Sequence, residues 1–472
     1  NLGLTQLARI EFALGGGRLN TDSIDNSAGV DCSDNEVNIK ILLDQAVAGG
    51  DLSVKQRNSL LASMTDEVAK LVLKDNYLQS QAITMIHTMG SDVFDDQVRL
   101  MRMLERIGKL NRAVEVLPDD EVIAEREAAK QGLVRPEIAV LMSYAKIWLY
   151  EELLNSDLPD DPTLLKDLAN YFPTPLKKKY TEEIRRHRLC REIIATHITN
   201  SMINRVGGTF VHHFMEKTGM SPPDIARAYT IAREVLNLRD LWENILALDN
   251  KVPAQVQTDM LIEINHLIQW VSLWFLRNGG KSLDIGALCA EFSDGFCALI
   301  NGLDKALPHN YRADVKNRAK SYIDQGVTKK LAFKVAGLVN LFSGGDIVRL
   351  AGKRRLAVTD AARLYFAVGA HFKLGRLRAA AELLDSDSHW QKLAVAVLVE
   401  DIYGHQLGLT IQVLNASKNE TDPKKALAVW MKKKGSAIKQ SEQLLSELWA
   451  IEVNDISMVA VASGQLRTLS ES

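Results

Sequence analysis

The chain has 472 residues, enough for two to four domains and a large buried core, so its stability requires neither a metal nor a disulfide. Lysine and arginine number 57 against 59 aspartates and glutamates, a formal charge of −2, and no global field draws the chain to nucleic acid or to anionic lipid. Cys32, Cys190, Cys289 and Cys297 form no CxxC pair and read as free thiols in a reducing cytoplasm, while the most apolar window, residues 267–276, is far shorter than the about 20 residues of a bilayer span.

The first predicted element is a short amphipathic helix carrying Leu4, Leu7, Ile10, Ala13 and Leu14 on one side and ended by Gly15-Gly16-Gly17. Residues 18–24 then suit a short strand, so that helix, strand and the next helix form the closing part of an α/β unit. The loop between that strand and the next helix, "DNSAGVDCSDNE", supports two readings. In one, Ser33 caps a helix starting near Asp34, and Glu36 reaches back in a capping box. In the other, a loop at the carboxyl end of a strand leads into a helix N-terminus, where α/β proteins place ligands. Backbone N–H groups there suit a carboxylate, Asn26 offers an amide, and Gly29 permits close approach.

Beyond this point the helical period hardly breaks, and the bulk reads as all-α. Over 135–154, Pro136 suits a first helical position, and Ile138, Leu141, Met142, Ala145 and Trp148 share one side. Ser221-Pro222-Pro223-Asp224 marks another start, and over 253–278 a stripe runs through Val256, Met260, Ile264, Leu267, Val271 and Phe275. Glycine, proline and small polar residues break the pattern at 114–121, 156–163, 278–282 and 417–423. The starts have no fixed spacing, which predicts an irregular helical assembly instead of a solenoid.

Little else carries chemistry. His212 and His213 are adjacent, hence about 100° apart on a helix, and no matching ligand cluster follows, so no metal is expected. The basic runs at 177–179, 185–188, 353–355 and 432–434 are interleaved with acids or apolar positions and read as solvated faces. The tryptophans fall mostly on apolar helix positions. Gly207-Gly208, Gly279-Gly280 and Gly344-Gly345 lack the G-x-G-x-x-G pattern of a nucleotide cradle and suit helix ends.

Two segments carry a resemblance. "NSAGVDCSDNE" is similar to the N-A-G-G-V-x-x-S-x-x-E segment of glutamate dehydrogenases, with Asn26, Gly29, Val30, Ser33 and Glu36 at matching places. Upstream, "NLGLT" resembles the tail of the family's E-G-A-N-x-P-T-T segment, with Asn1 as its asparagine and Thr5 as its second threonine. "GLVRPEIAVLMSYAKIWLYEELL", "LCREIIATHITNSMINRVGGTFV" and "SHWQKLAVAVLVEDIY" resemble the C-terminal region of the large bacterial NAD-specific members. Ala28 replaces a glycine of the smaller enzymes, Leu2-Gly3-Leu4 lacks their proline, and Asn35 stands where the large ones would have histidine.

The resemblance implies that residues 1–47 end a Rossmann-type dinucleotide-binding domain, that 48–112 pack back on the dehydrogenase core, and that 113–472 form a large helical C-terminal domain. Asn1 and Asn26 would lie beside bound NAD, and Val30 and Ser33 near the substrate glutamate, with Ser33 donating to its side-chain carboxylate. The catalytic lysine and carboxylate of the family come from segments preceding the E-G-A-N motif, so no catalytic residue is expected here. The chain alone should be inert, with L-glutamate, 2-oxoglutarate, the upstream catalytic part and further copies of itself as partners. The competing expectation is a stand-alone helical scaffold whose opening loop is merely a cap.

Overall fold

The computed structural model describes residues 3–25, 29–280, 282–384, 389–451 and 453–471. Every regular element among them is helical. None of these helices is long and apolar enough to cross a membrane. The chain divides into two compact units, residues 1–233 with 254–288, and residues 234–253 with 289–472.

In the first unit the helices used below are α1 (Gln6–Leu14), α2 (Val30–Ala48), α3 (Val54–Met89), α4 (Phe94–Arg106), α5 (Asp120–Ala128), α6 (Arg135–Leu154), α7 (Leu165–Tyr171), α8 (Cys190–Val206), α9 (Phe210–Thr218), α10 (Pro222–Val235) and α11 (Ala254–Asn278). Helices α3, α6, α8 and α11 pack on one another as its core. The two long stripes read from the sequence are buried: Ile138, Leu141, Met142, Ala145 and Trp148 on α6, and Val256, Met260, Ile264, Leu267, Val271 and Phe275 on α11. Helix α3 starts at a capping box, Ser53 Oγ accepting from the Gln56 N–H at 3.3 Å while Gln56 Oε1 accepts from the Ser53 N–H at 2.9 Å. It ends at Gly90, whose φ of +54° suits glycine. Ser221 opens α10 as expected, its Oγ accepting from the Asp224 N–H at 3.4 Å.

Gly132, in the loop before α6, lies against the Gly90 turn. A Cβ at 132 would sit 2.7 Å from the Gly90 carbonyl oxygen, a backbone atom that cannot rotate aside. Gly132→Ala should therefore destabilise the chain by about 1–3 kcal/mol, as overpacking does elsewhere, measured by denaturant titration.

In the second unit, α12 (Val358–His371), α13 (Leu374–Glu382), α15 (Pro423–Ile451) and α16 (Ile456–Glu471) surround α14 (His389–Ser417). Gln406 on α14 is fully buried and fully used. Its Nε2 donates to the Tyr365 carbonyl at 2.9 Å, and its Oε1 accepts from the Arg378 guanidinium at 2.9 Å. Gly369 makes room, since a Cβ there would lie 2.4 Å from that amide nitrogen. Trp242 and Trp430 in this unit are core residues, whereas Trp390 is exposed.

Three sequence expectations fail in the first 50 residues. The strand over 18–24 is not formed: residues 17–21 have no regular structure and Asp22–Asp25 is one helical turn. No other strand among the described residues offers a ladder, and two arginines take over the polar groups. Arg9 of α1 donates to the Asn20 carbonyl at 2.9 Å and to Asp22 at 2.6 Å, and Arg135 of α6 donates to Asn20 Oδ1 at 3.0 Å. Ser33 is not a cap, because α2 begins earlier, at Val30, with Gly29 as its N-cap. Glu36 pairs with Lys40 one turn on and does not reach back. The apolar side read on α1 is largely open: Ile10 is buried, while Leu4, Leu7 and Leu14, with Phe12, are exposed.

Candidate functional site

Val30 and Ser33, the substrate-side candidates, lie in the first turn of α2. Gly29, the N-cap residue, has no side chain to bond the helix start, and no other described residue caps it. Val30, 82% exposed, and Ser33, also exposed, are three residues apart and therefore share one helix face. The Ser33 N–H is used by the Gly29 carbonyl at 3.2 Å, and its side chain points away from the core. This arrangement offers a carboxylate a hydroxyl donor and a positive helix end beside an apolar contact. Asn1 and Asn26 lie outside the described residues.

Two polar clusters brace this turn from behind. Asn35, which is buried, donates to the Asp31 carbonyl at 3.0 Å and to Asp31 Oδ1 at 3.3 Å. Asp34 accepts from Tyr171 of α7 at 2.8 Å and from Asn38 at 3.1 Å. His187 closes this side. Its Nδ1 accepts from the Leu189 N–H at 3.1 Å, so its Nε2 carries the proton donated to the Asn38 carbonyl at 3.1 Å. Burial holds this imidazole below the ordinary histidine range, consistent with that neutral tautomer.

The second cluster joins three helices. Lys146 of α6 donates to Gln79 of α3 at 3.0 Å, in the field of Asp75 of α3 and Asp31 of α2. Burial pushes the lysine down to about 7, the two acids only partly opposing it. Burial also raises Asp31 to about 6, with Asp75 and Asp34 adding to the shift and Lys146 resisting it. Reading for motifs missed this cluster, although one signal was present: Lys146 is the only charge in the run "VLMSYAKIWLY".

A pH dependence follows. Between pH 7 and the ordinary lysine value of about 10.4, the unfolded chain holds a proton at Lys146 that the folded chain has released. Stability from this group therefore rises with pH across that window and is lost as pH falls through 7. Asp31 acts oppositely and lower: its favourable contribution is complete below its ordinary value and is lost as pH rises through about 6. Thermal unfolding at pH 7 and pH 9 should show a gain of at most about 2 kcal/mol that Lys146→Met abolishes. An unchanged gain would remove Lys146 as its source.

Comparison with known proteins places the chain in a family. Residues 1–86 match the family described as bacterial NAD-glutamate dehydrogenase, catalytic domain. The NAD-specific glutamate dehydrogenase of Pseudomonas aeruginosa is 40% identical over 472 residues, which is all of this chain and 29% of that protein. That of Halomonas elongata is 38% identical over 472 residues and that of Mycobacterium tuberculosis 33% over 470, again all of this chain against 29% of each. The chain thus spans 29% of the length of these curated relatives. Residues 130–468 match the family described as glutamate dehydrogenase, C-terminal, and the chain belongs to that family.

Proposed function

We propose that the first three dozen residues form one wall of an amino-acid and dinucleotide cleft whose other wall comes from an upstream part of the same polypeptide. The intact protein would be an NAD-dependent glutamate dehydrogenase, converting L-glutamate, NAD and water to 2-oxoglutarate, ammonium and NADH. In this reading Ser33 donates to the side-chain carboxylate of glutamate, Val30 contacts its methylene chain, and Asn1 and Asn26 lie beside NAD. The observation that carries the reading is the exposed Val30–Ser33 face in the first turn of α2.

The open apolar side of α1 supports it. Leu7 and Leu14, two turns apart on one side of α1, are both exposed, as an apolar side awaiting a contact would be. Among the described residues no glycine-rich turn joins a strand to a helix, so they contain no pyrophosphate cradle, and NAD contacts are assigned only to the two asparagines. The described residues of the chain hold and orient the substrate carboxylate. Proton and hydride transfer fall to the upstream part, and this chain alone is inert.

Residues 1–47 would then end the cofactor domain in a Rossmann-type arrangement. Residues 48–112 would pack on the dehydrogenase core and 113–472 would serve oligomerisation or regulation, in a cytoplasmic homo-oligomer engaged in amino-acid catabolism. The test is expression of this chain alone and of the full-length polypeptide, each assayed for glutamate-dependent reduction of NAD. Activity confined to the full-length protein is expected. Activity in this chain alone, or in neither, contradicts the reading.

A further inference from the structure

The two family matches meet inside the first unit. Asp31, Asp75 and Gln79 fall within residues 1–86, matched to the catalytic domain, and Lys146 within 130–468, matched to the C-terminal region. Helix α3 packs on both α2 and α6, and Lys146 of α6 donates to Gln79 of α3 at 3.0 Å. Asp75 is four residues from Gln79 and so lies on the same face of α3. Asp31 faces the lysine from α2.

Asp31 connects this junction to a ligand. It is the acid of the first turn of α2, between Val30 and Ser33. Asn35, one turn on and buried, donates to Asp31 Oδ1 at 3.3 Å, which holds the carboxylate on the inner side of the helix. A negative charge there occupies the positive helix end and repels an anion on the outer side of the same turn. A cation behind the turn offsets it. Of the groups acting on Asp31, Asp75 and Asp34 are acids and Lys146 is the cation.

We propose that Lys146 is a positioning residue for the side-chain carboxylate of glutamate, its ammonium group neutralising Asp31 behind the turn that carries Val30 and Ser33. The inference rests on the function proposed for that turn, and it gives the helical C-terminal region a part in substrate affinity.

The balance of charge changes with pH. Lys146 faces Asp75 and Asp31, Asp31 also faces Asp34, Lys74 lies toward Asp75, and Asp34 and Glu192 of α8 act on Tyr150, one turn on from the lysine. Burial raises Asp31 to about 6 and lowers Lys146 to about 7, so both are charged between these values. Above about 7 the lysine releases its proton while Asp31 stays ionised, and the junction becomes anionic.

The test is steady-state kinetics of the full-length protein at pH 6.5 and pH 8.5, with glutamate and NAD varied in turn. Lys146→Met, which keeps the bulk of the lysine stem, should raise KM for glutamate about three- to tenfold at pH 6.5, the effect of one charge about a helix diameter away. At pH 8.5 it should match the unsubstituted protein, and KM for NAD should be unaltered at both values. At pH 8.5 Lys146→Arg, which keeps its charge, and Asp31→Asn, which removes the opposing one, should each lower KM for glutamate by a similar factor. No effect of Lys146→Met at pH 6.5, the same rise at both pH values, or an equal rise for NAD would overturn the assignment. Ser33→Ala separates the two levels: without effect on glutamate it overturns the cleft and this inference together, whereas an effect of Ser33→Ala with none of Lys146→Met overturns the lysine alone.

Discussion

Arg126→Met is expected to destabilise the chain by about 3–5 kcal/mol, the usual consequence of leaving a buried charge without its partner. Arg126 on α5 and Glu137 on α6 are 8% and 1% exposed. Their contact is bidentate, at 2.7 and 2.9 Å, and the same Glu137 Oε2 accepts the Val134 N–H at 2.8 Å. One carboxylate therefore both caps α6 and ties α5 to it. Losing the guanidinium strands that carboxylate in a dry interior, where the remaining N–H is too little compensation. The double variant Arg126→Met, Glu137→Met should recover much of the loss, because the charge and its partner are removed together. Denaturant unfolding of the two variants checks both statements. A loss below about 1 kcal/mol in the single variant, the range of surface pairs, would show that the pair is effectively solvated.

Ser33→Ala in the full-length protein is expected to raise KM for glutamate roughly 10–100-fold, the equivalent of a hydrogen bond to a charged group, with KM for NAD little changed. The structure makes this a clean experiment. Ser33 is exposed and lies inside α2, three residues past its start, so it caps nothing. Alanine is also the better helix former by a few tenths of a kcal/mol. Unfolding should be unaltered, and any kinetic change reports on the substrate directly. Equal effects on glutamate and NAD, or none, would remove Ser33 from the substrate side of the cleft.

How much was legible in the sequence depended on whether a segment buries its own apolar surface within the described fold. The stripes on α6 and α11 did so, and every residue named on them is buried. Pro136 and Ser221 marked helix starts because their local chemistry suffices to place them. The first 50 residues were harder. Their pattern of helix, strand, helix matches a sheet-bearing unit, but a strand is fixed by its neighbours, and Asn20 bonds to Arg9 and Arg135 instead. The start of α2 was misplaced by four residues. Ser33-Asp34-Asn35-Glu36 fits a capping box on spacing alone, yet the buried Asn35 needs the earlier helix start to reach Asp31.

Of the candidate site, the family motif led to Val30 and Ser33, and the structure puts both on one open face. The supporting cluster of Asp31, Asp75 and Lys146 draws on helices spread over more than a hundred residues, a juxtaposition that no local pattern encodes.

The most direct measurement is the structure of the full-length protein with glutamate and NAD bound. The Ser33 hydroxyl should lie within about 2.6–3.0 Å of the glutamate side-chain carboxylate, with an upstream domain seated on Leu4, Leu7, Phe12 and Leu14. Glutamate bound elsewhere, with Ser33 facing solvent and the α1 face still uncovered, would contradict the account.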